Sequence, residues 1–335
     1  MGVCRRPGIF KPESTNLGQK IASKPLILGE VASSSECLLG GRENQSAKKG
    51  GVSFWNVFAD AYGLMRPPLV PSPEEIAFLE KTAAAWAANH PGVSMRALLL
   101  GVTSKIATMR WPRPSQLVGV DASLAMVRQV WPGNVAGKRG GVCGDWLALP
   151  LPDGSCHVVV GDGSINCVGV GYPEGFRRLA EAIVRVLDGD GIALLRCYIR
   201  PDVRERHEDL IEAALHGSIP AFHELKFRFL LATQESVQEG LVVDEVYRAW
   251  VRLRVDVAEL AARTGWDPAA IATMEDYRDC QTVFIYPTQC ELHSALGEYF
   301  DEVETWTSAS ELGKRCPILV LRPRRDVRNL RGEAQ

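Results

Sequence analysis

Three segments, each closed by a glycine or an acid, constrain the fold of this 335-residue chain more than any other feature. The first, Ala97-Leu98-Leu99-Leu100-Gly101-Val102-Thr103, ends its apolar run at a lone glycine. The second, Gln116-Leu117-Val118-Gly119-Val120, ends at Asp121, and a third closes on Gly144-Asp145-Trp146. Apolar runs without alternation suit strands covered on both faces. Strand, turn, helix, then a strand ending in an acid about twenty residues after the glycine make the first half of a nucleotide-binding sheet.

The pattern continues beyond these segments. Strands are expected at 96–100, 116–120, 138–143, 156–161 and 191–198, with helices between them. The clearest helix covers 174–187, where Phe176, Leu179, Ala180, Ile183 and Leu187 form one stripe before Asp188-Gly189-Asp190-Gly191 breaks it. Upstream, the aromatics of Val52 to Tyr62 recur at helical spacing. After the link Arg66 to Pro71, Ser72 and Glu75 make a capping box with Pro73 in the first turn. The helix that follows puts Ile76, Leu79, Ala83 and Trp86 on one face and ends near Asn89.

From 201 to 282 the period is helical, with helices expected at 203–216, 220–233, 243–264 and 268–278, the last capped by Asp267 ahead of Pro268. A helix near 288–297 then precedes two strand candidates, Phe300 to Thr307 and Pro317 to Arg322. Their connection is of hairpin length, too short for a parallel crossover, so the sheet should end with an antiparallel strand. The fold class expected is α/β, a doubly wound, mostly parallel, seven-stranded Rossmann-like sheet with an antiparallel C-terminal strand and a helical insertion. Four regions follow: a flexible N-terminal arm over 1–50, the sheet domain over 51–200 and 283–325, the helical insertion over 201–282, and a tail over 326–335.

Composition narrows the partners. With 38 basic and 40 acidic residues the net charge is −2 and the pI about 6.3, so no broad basic surface for nucleic acid is implied. Nine cysteines, an odd number, contain no C-x-x-C pair, and several sit in strand-like runs as small hydrophobes. That usage points to a reducing compartment, the cytoplasm. Six histidines without H-E-x-x-H argue against a metal site. No apolar run reaches the roughly 18 residues that span a bilayer, and no secretory h-region is present, so no membrane partner is expected. Met1-Gly2 would suit myristoylation, but Arg6 stands where the pattern wants Ser or Thr. The helical block is open to two roles, shaping substrate specificity or making a homodimer contact.

An adenosine cofactor would use particular residues of this sheet. Gly101 permits close approach after the first strand, and Asp121 can accept from both ribose hydroxyls. Met126 and Trp146 can cover the faces of the base, and Asp145 can accept from its exocyclic amine. A dinucleotide needs G-x-G-x-x-G to seat its pyrophosphate, whereas Gly101-Val102-Thr103-Ser104-Lys105-Ile106 has one glycine. A cofactor without phosphates fits better than NAD.

Five motifs, in order and spacing, carry a resemblance: Leu98 to Thr103, Val120-Asp121-Ala122-Ser123, Cys143-Gly144-Asp145-Trp146, Gly161-Asp162-Gly163-Ser164 and Leu187-Asp188-Gly189-Asp190-Gly191. They resemble the motifs of class I S-adenosylmethionine-dependent methyltransferases over residues 52–200 and 285–323. The resemblance implies an S-adenosyl-L-methionine site made by Gly101, Val102, Thr103, Asp121, Ala122, Ser123, Met126, Gly144, Asp145 and Trp146. It puts Asp162, Gly163 and Ser164 beside the sulfonium, helped by the hydroxyl of Thr103 or Ser104. The chain departs from the family's acidic, glycine-rich first motif. The activity implied is in-line methyl transfer to a small molecule, with a nicotinamide-dependent oxidoreductase and a non-catalytic cofactor-binding module as alternatives. No catalytic base can be assigned. Tyr198, Arg200, His223 and Tyr247 are candidates to face the pocket, and Trp55, Tyr62 and Arg66 are candidates for a lid.

Overall fold

The structure, a computed structural model, describes residues 54–135 and 138–327. The arm expected over 1–50, the first residues of the aromatic helix and nearly all of the tail lie outside the described residues. Strands β1 (Met95–Leu100), β2 (Ser115–Asp121), β3 (Arg139–Cys143), β4 (Cys156–Asp162), β5 (Leu187–Arg196), β6 (Phe300–Trp306) and β7 (Ile318–Pro323) form one seven-stranded sheet. Their order is β3-β2-β1-β4-β5-β7-β6. The first five run parallel, and β7 is antiparallel to both of its neighbours. The short connection from β6 forces this reversal, because a parallel return needs a crossover of a dozen or more residues.

The apolar runs become the buried centre. In β1 every residue is buried, and Leu98 stands between Val118 of β2 and Val159 of β4. Successive side chains of a strand go to opposite faces. Leu98, Leu100, Val120 and Val159 therefore pack with Phe176, Leu179 and Ile183 of the helix Glu174–Val186. Ala97, Leu99, Val158 and Val160 pack on the other face with Leu79, Ala83 and Trp86 of the helix Pro73–Asn89. The capping box at Ser72 and Glu75 is formed in both directions. The Asp188-Gly189-Asp190-Gly191 segment ends the 174–186 helix as expected, but it is taken into the start of β5, where the register with β4 shifts between Cys156 and Val158.

The 201–282 segment contains the helices His207–Leu215, Phe222–Thr233, Val243–Arg252, Val257–Thr264 and Pro268–Ala272. The single helix expected over 243–264 is two. Arg254 takes φ +50, and Asp256 starts a new helix by accepting from the Glu259 amide at 2.9 Å. That cap was readable in the sequence, but the continuous helical period across it hid the break. Similarly, the helix expected over 268–278 tightens into a 3-10 turn at Thr273–Tyr277.

Two buried amides fasten these helices to the sheet. The Asn166 amide donates to the carbonyls of Tyr198 (2.8 Å) and Ile285 (2.7 Å) and accepts from the Tyr198 N–H. Gln234 donates to the Tyr286 carbonyl and accepts from the Tyr286 N–H, both at 2.7 Å. A side-chain amide used in both directions satisfies backbone groups that would otherwise be orphaned in the interior. The segment 284–286 is thereby held across the ends of β4 and β5, above the helical core of Phe222, Phe227, Phe229 and Trp250.

Two buried histidines give the fold a pH dependence. His157, in β4, stacks on Trp86 at 4.9 Å and accepts from the Arg96 amide through Nδ1, and burial together with the Arg96 charge lowers its pKa from 6.5 to about 4. His223 is likewise lowered to about 4, by burial and then by Lys226. Between these values the unfolded chain binds protons that the native state refuses, so stability is complete above pH 6.5 and falls as pH drops towards 4. Chemical denaturation across this window should show a falling midpoint; a flat midpoint would contradict the neutral, buried assignment of both rings.

Candidate functional site

The carboxyl ends of β1, β2 and β4 open into a cavity of about 200 Å³. In an open α/β sheet this edge is where ligands bind, near the point at which strand order reverses. Here the reversal lies between β1 and β4. Gly101, Val102, Thr103, Asp121, Ala122, Met126, Asp145, Trp146, Asp162 and Gly163 all border the cavity. Ser123, Gly144 and Ser164 do not. Ser123 instead caps the helix Leu124–Gln129, accepting from the Met126 amide at 3.3 Å. Gly144 packs where a Cβ would meet Val120 at 3.1 Å, and Ser164 is buried against Gly161.

Asp121 is buried, and its two oxygens accept from backbone amides, Oδ2 from Val102 at 3.0 Å and Oδ1 from Ser123 at 2.8 Å. Burial raises its pKa, and these two amides oppose the rise. Each carboxylate oxygen has a further lone pair, so Asp121 can still accept from a ligand while it ties the turns after β1 and β2 together.

Gly101 has φ +90, a conformation that favours glycine, and a Cβ there would lie 3.2 Å from the Trp146 ring. The Trp146 indole N–H donates to the Val120 carbonyl at 2.6 Å. The indole thus rests on Gly101 itself, over the adjacent carboxyl ends of β1 and β2. Asp145 accepts from the Leu147 amide at 2.9 Å and so starts the turn that carries Trp146.

Behind Asp162, which borders the cavity, lies a buried ion cluster. Arg196, at the end of β5, is fully buried and donates to Glu75 (2.6 Å), Asp162 (2.8 Å), the Tyr198 hydroxyl (2.9 Å) and the Pro68 carbonyl (2.8 Å). Asp162 also accepts from the Thr103 hydroxyl at 3.1 Å. Burial pushes the Asp162 carboxyl up and Arg196 pulls it back. One guanidinium faces two carboxylates, so with Asp121 nearby the cavity floor is acidic and suited to a cationic ligand.

Aromatic side chains make the remaining wall. Phe54, Trp55 and Phe58 of the N-terminal aromatic helix, Phe54–Ala61, and Tyr62 of the 3-10 turn after it meet Tyr277, Phe284 and Tyr286. The Phe54 and Phe284 rings are edge to face at 5.5 Å, and Trp55 and Phe58 at 5.6 Å. Of the lid candidates, Trp55 and Tyr62 border the cavity, and Arg66 does not, spending its guanidinium on the Gly63 and Met65 carbonyls. Tyr198 borders the cavity as well. Arg200 pairs with Glu291, Tyr247 with Arg278 and Glu275, and His223 is buried among the helices, all outside the cavity.

Arg196, Glu75 and Asn166 belong to the site or its support without a sequence motif that marks them for it. An arginine closing the apolar run Ile192-Ala193-Leu194-Leu195 was the available signal, since a charge at that position needs buried partners. Glu75 was identified for its cap alone, yet one of its oxygens caps Ser72 and the other holds Arg196. Replacing Arg196 by Met should leave two buried carboxylates uncompensated and lower stability by about 3–5 kcal/mol. Urea unfolding measures this, and a loss below about 1 kcal/mol would mean the cluster is solvated rather than buried.

No protein-family model matches the sequence, and no curated protein is significantly similar to it. Solved structures are similar in fold. A Rhodobacter sphaeroides protein assigned provisionally to the Zn-dependent alcohol dehydrogenases is 15% identical, with 81% of this chain and 97% of that one covered at a TM-score of 0.53. The CcbJ methyltransferase from Streptomyces caelestis is 14% identical, covering 81% and 98% at 0.47. A SAM-dependent methyltransferase from Methanosarcina mazei is 15% identical, covering 70% and 93% at 0.39. Likeness at such identities concerns the fold alone. The sheet itself, with β7 reversed and inserted between β5 and β6, has the strand order of the class I methyltransferase fold. Among the described residues no group of three or more His, Cys, Asp or Glu side chains could hold a metal ion, and no helix is long and apolar enough to cross a membrane.

Proposed function

We propose that this chain is an S-adenosylmethionine-dependent methyltransferase that acts on a small-molecule acceptor by in-line transfer. The observation that carries the proposal is the turn after β1. The helix that follows it, Ser104–Ala107, is a single turn, too short to build the dipole that seats a pyrophosphate. Its amides are mostly spent as well: Gly101 on Val120, Val102 on Asp121, Ser104 on the Tyr62 hydroxyl, and Ile106 and Ala107 on the Thr103 carbonyl. Little is left to cradle phosphates, while the acidic floor favours a cation. The residues therefore fit an adenosine joined to a cationic, phosphate-free chain better than a dinucleotide.

In this reading Asp121 accepts from the ribose, Gly101 lets the backbone approach it, and Ala122, Met126 and Asp145 surround the base. Asp162, oriented by Arg196 and Thr103, faces the cationic end. S-adenosylmethionine, when bound, supplies a methyl group with its leaving group already built in. The protein's share is then alignment and exclusion of water, for which the aromatic wall is suited. The helical block contributes Leu230 and Tyr277 to the cavity, which supports a role in acceptor specificity for 201–282.

Calorimetric titration with S-adenosylmethionine, S-adenosylhomocysteine and NAD should give binding of the two methionine derivatives and none of NAD. Saturable NAD binding without them would instead support the oxidoreductase, and cofactor binding without methyl transfer to any acceptor would support the binding module. Because Asp121 also holds two backbone amides, Asp121→Ala would loosen both turns; Asp121→Asn is the cleaner variant and should weaken S-adenosylhomocysteine binding roughly tenfold or more. Unchanged affinity in that variant would remove Asp121 from the site.

A further inference from the structure

We propose, resting on the methyltransferase reading, that the aromatic end of the cavity is the acceptor chamber and that it takes an uncharged, planar aromatic amine, methylated on nitrogen. The walls set the shape. Phe54, Trp55 and Phe284 stand edge to face or tilted at 5.0 to 6.1 Å, and such a cluster receives a flat ring better than a branched or sugar-like molecule.

Polar contacts come from two phenols. Tyr277 and Tyr286 border the cavity, and neither hydroxyl has a hydrogen-bond partner among the described residues. Neither is among the fully enclosed unpartnered atoms, so each keeps an open side. They lie close enough to each other, to Tyr198 and to Cys167 for the charges to interact. Burial raises the pKa of all three tyrosines, so they act as neutral donors and acceptors and not as bases.

Charge then selects the nucleophile. None of the described residues bordering the cavity is Lys, Arg or His, and Asp121, Asp145 and Asp162 stand at its other end. Lys226, whose ammonium lies 4.0 Å from the Tyr277 ring centroid, is spent on the Thr273 carbonyl and hydroxyl and does not border the cavity, so a carboxylate, phosphate, phenolate or thiolate acceptor would be desolvated there without a direct counter-ion. A neutral hydroxyl needs a base, and the carboxylate of Asp162 is weakened as one by its ion pair with Arg196 and the bond from the Thr103 hydroxyl. An alkylammonium has its lone pair tied up in an N–H bond. An aryl amine is neutral near pH 7 and attacks as it stands: its lone pair forms the N–C bond, the S–CH3 pair returns to sulfur, and the surplus proton leaves to solvent.

The test uses 5-aminoindole, 5-hydroxyindole and indole-5-carboxylate, one ring with three substituents. Equilibrium dialysis against the full chain, with and without S-adenosylhomocysteine, should show the amine and the phenol binding and the carboxylate weaker by roughly tenfold or more. Tyr277→Phe with Tyr286→Phe should weaken amine binding by roughly tenfold while S-adenosylhomocysteine affinity holds. With S-adenosylmethionine, the amine alone should turn over, and mass spectrometry should place the methyl on the exocyclic nitrogen. Carboxylate binding as tight as the amine, an unaffected double variant, methyl on oxygen or carbon, or amine binding without transfer in a chain that binds S-adenosylmethionine would each overturn the proposal. Amine binding with the expected tyrosine dependence in a chain that binds no methionine derivative would support the chamber's specificity and refute the cofactor reading alone.

Discussion

The buried guanidinium of Arg196 is the contact on which the rest of the site depends. It joins the proline link through Pro68, the helix start through Glu75 and the end of β4 through Asp162, all distant in sequence, and also holds the hydroxyl of Tyr198 just beyond β5. A charge taken out of water is costly unless every donor is used, and bidentate or multiple hydrogen bonding is what makes its burial tolerable. Removing any of these partners would leave a charge or a carbonyl unmet in the interior. The N-terminal aromatic helix is therefore tied to the sheet edge through the segment that follows it, and the cavity gains a wall from outside the sheet.

This arrangement divides the cavity into two chemistries. Carboxylates gather at the β1, β2 and β4 ends, and aromatic rings gather where the N-terminal helix meets 277–286. Tyr198 belongs to both, its hydroxyl accepting from Arg196 and its ring edge to face with Phe227 at 5.4 Å. The missing Cβ of Gly163 gives that ring its room, since a Cβ there would lie 2.3 Å from it. A Gly163 side chain would therefore disturb both halves together.

The sheet was legible because its signals are local. Apolar runs at Leu98, Val118, Val159 and Leu194 have no other stable use than a strand covered on both sides, and the short link after Trp306 permits only a reversal. Asp121 was legible because it ends a strand. Arg196, Asn166 and the Tyr277, Phe284 and Tyr286 group were not, since each acquires meaning from partners a long way off in the chain, as in the 119 residues between Asn166 and Ile285. Local periodicity also misled at 253–256, where the helical spacing on both sides concealed a left-handed residue and a new cap.

Trp146 shows how a correct location can leave the role open. The motif places it at the end of the third segment, and in the structure it borders the cavity with the ring laid on Gly101 and its N–H held by Val120. Val120 already accepts from the Gly101 amide at 2.8 Å, so the indole shares an acceptor that the sheet uses in any case. A ligand that approaches Gly101 closely must take the space of the indole. The lone glycine gives the indole its seat, because a Cβ at position 101 would lie 3.2 Å from the ring.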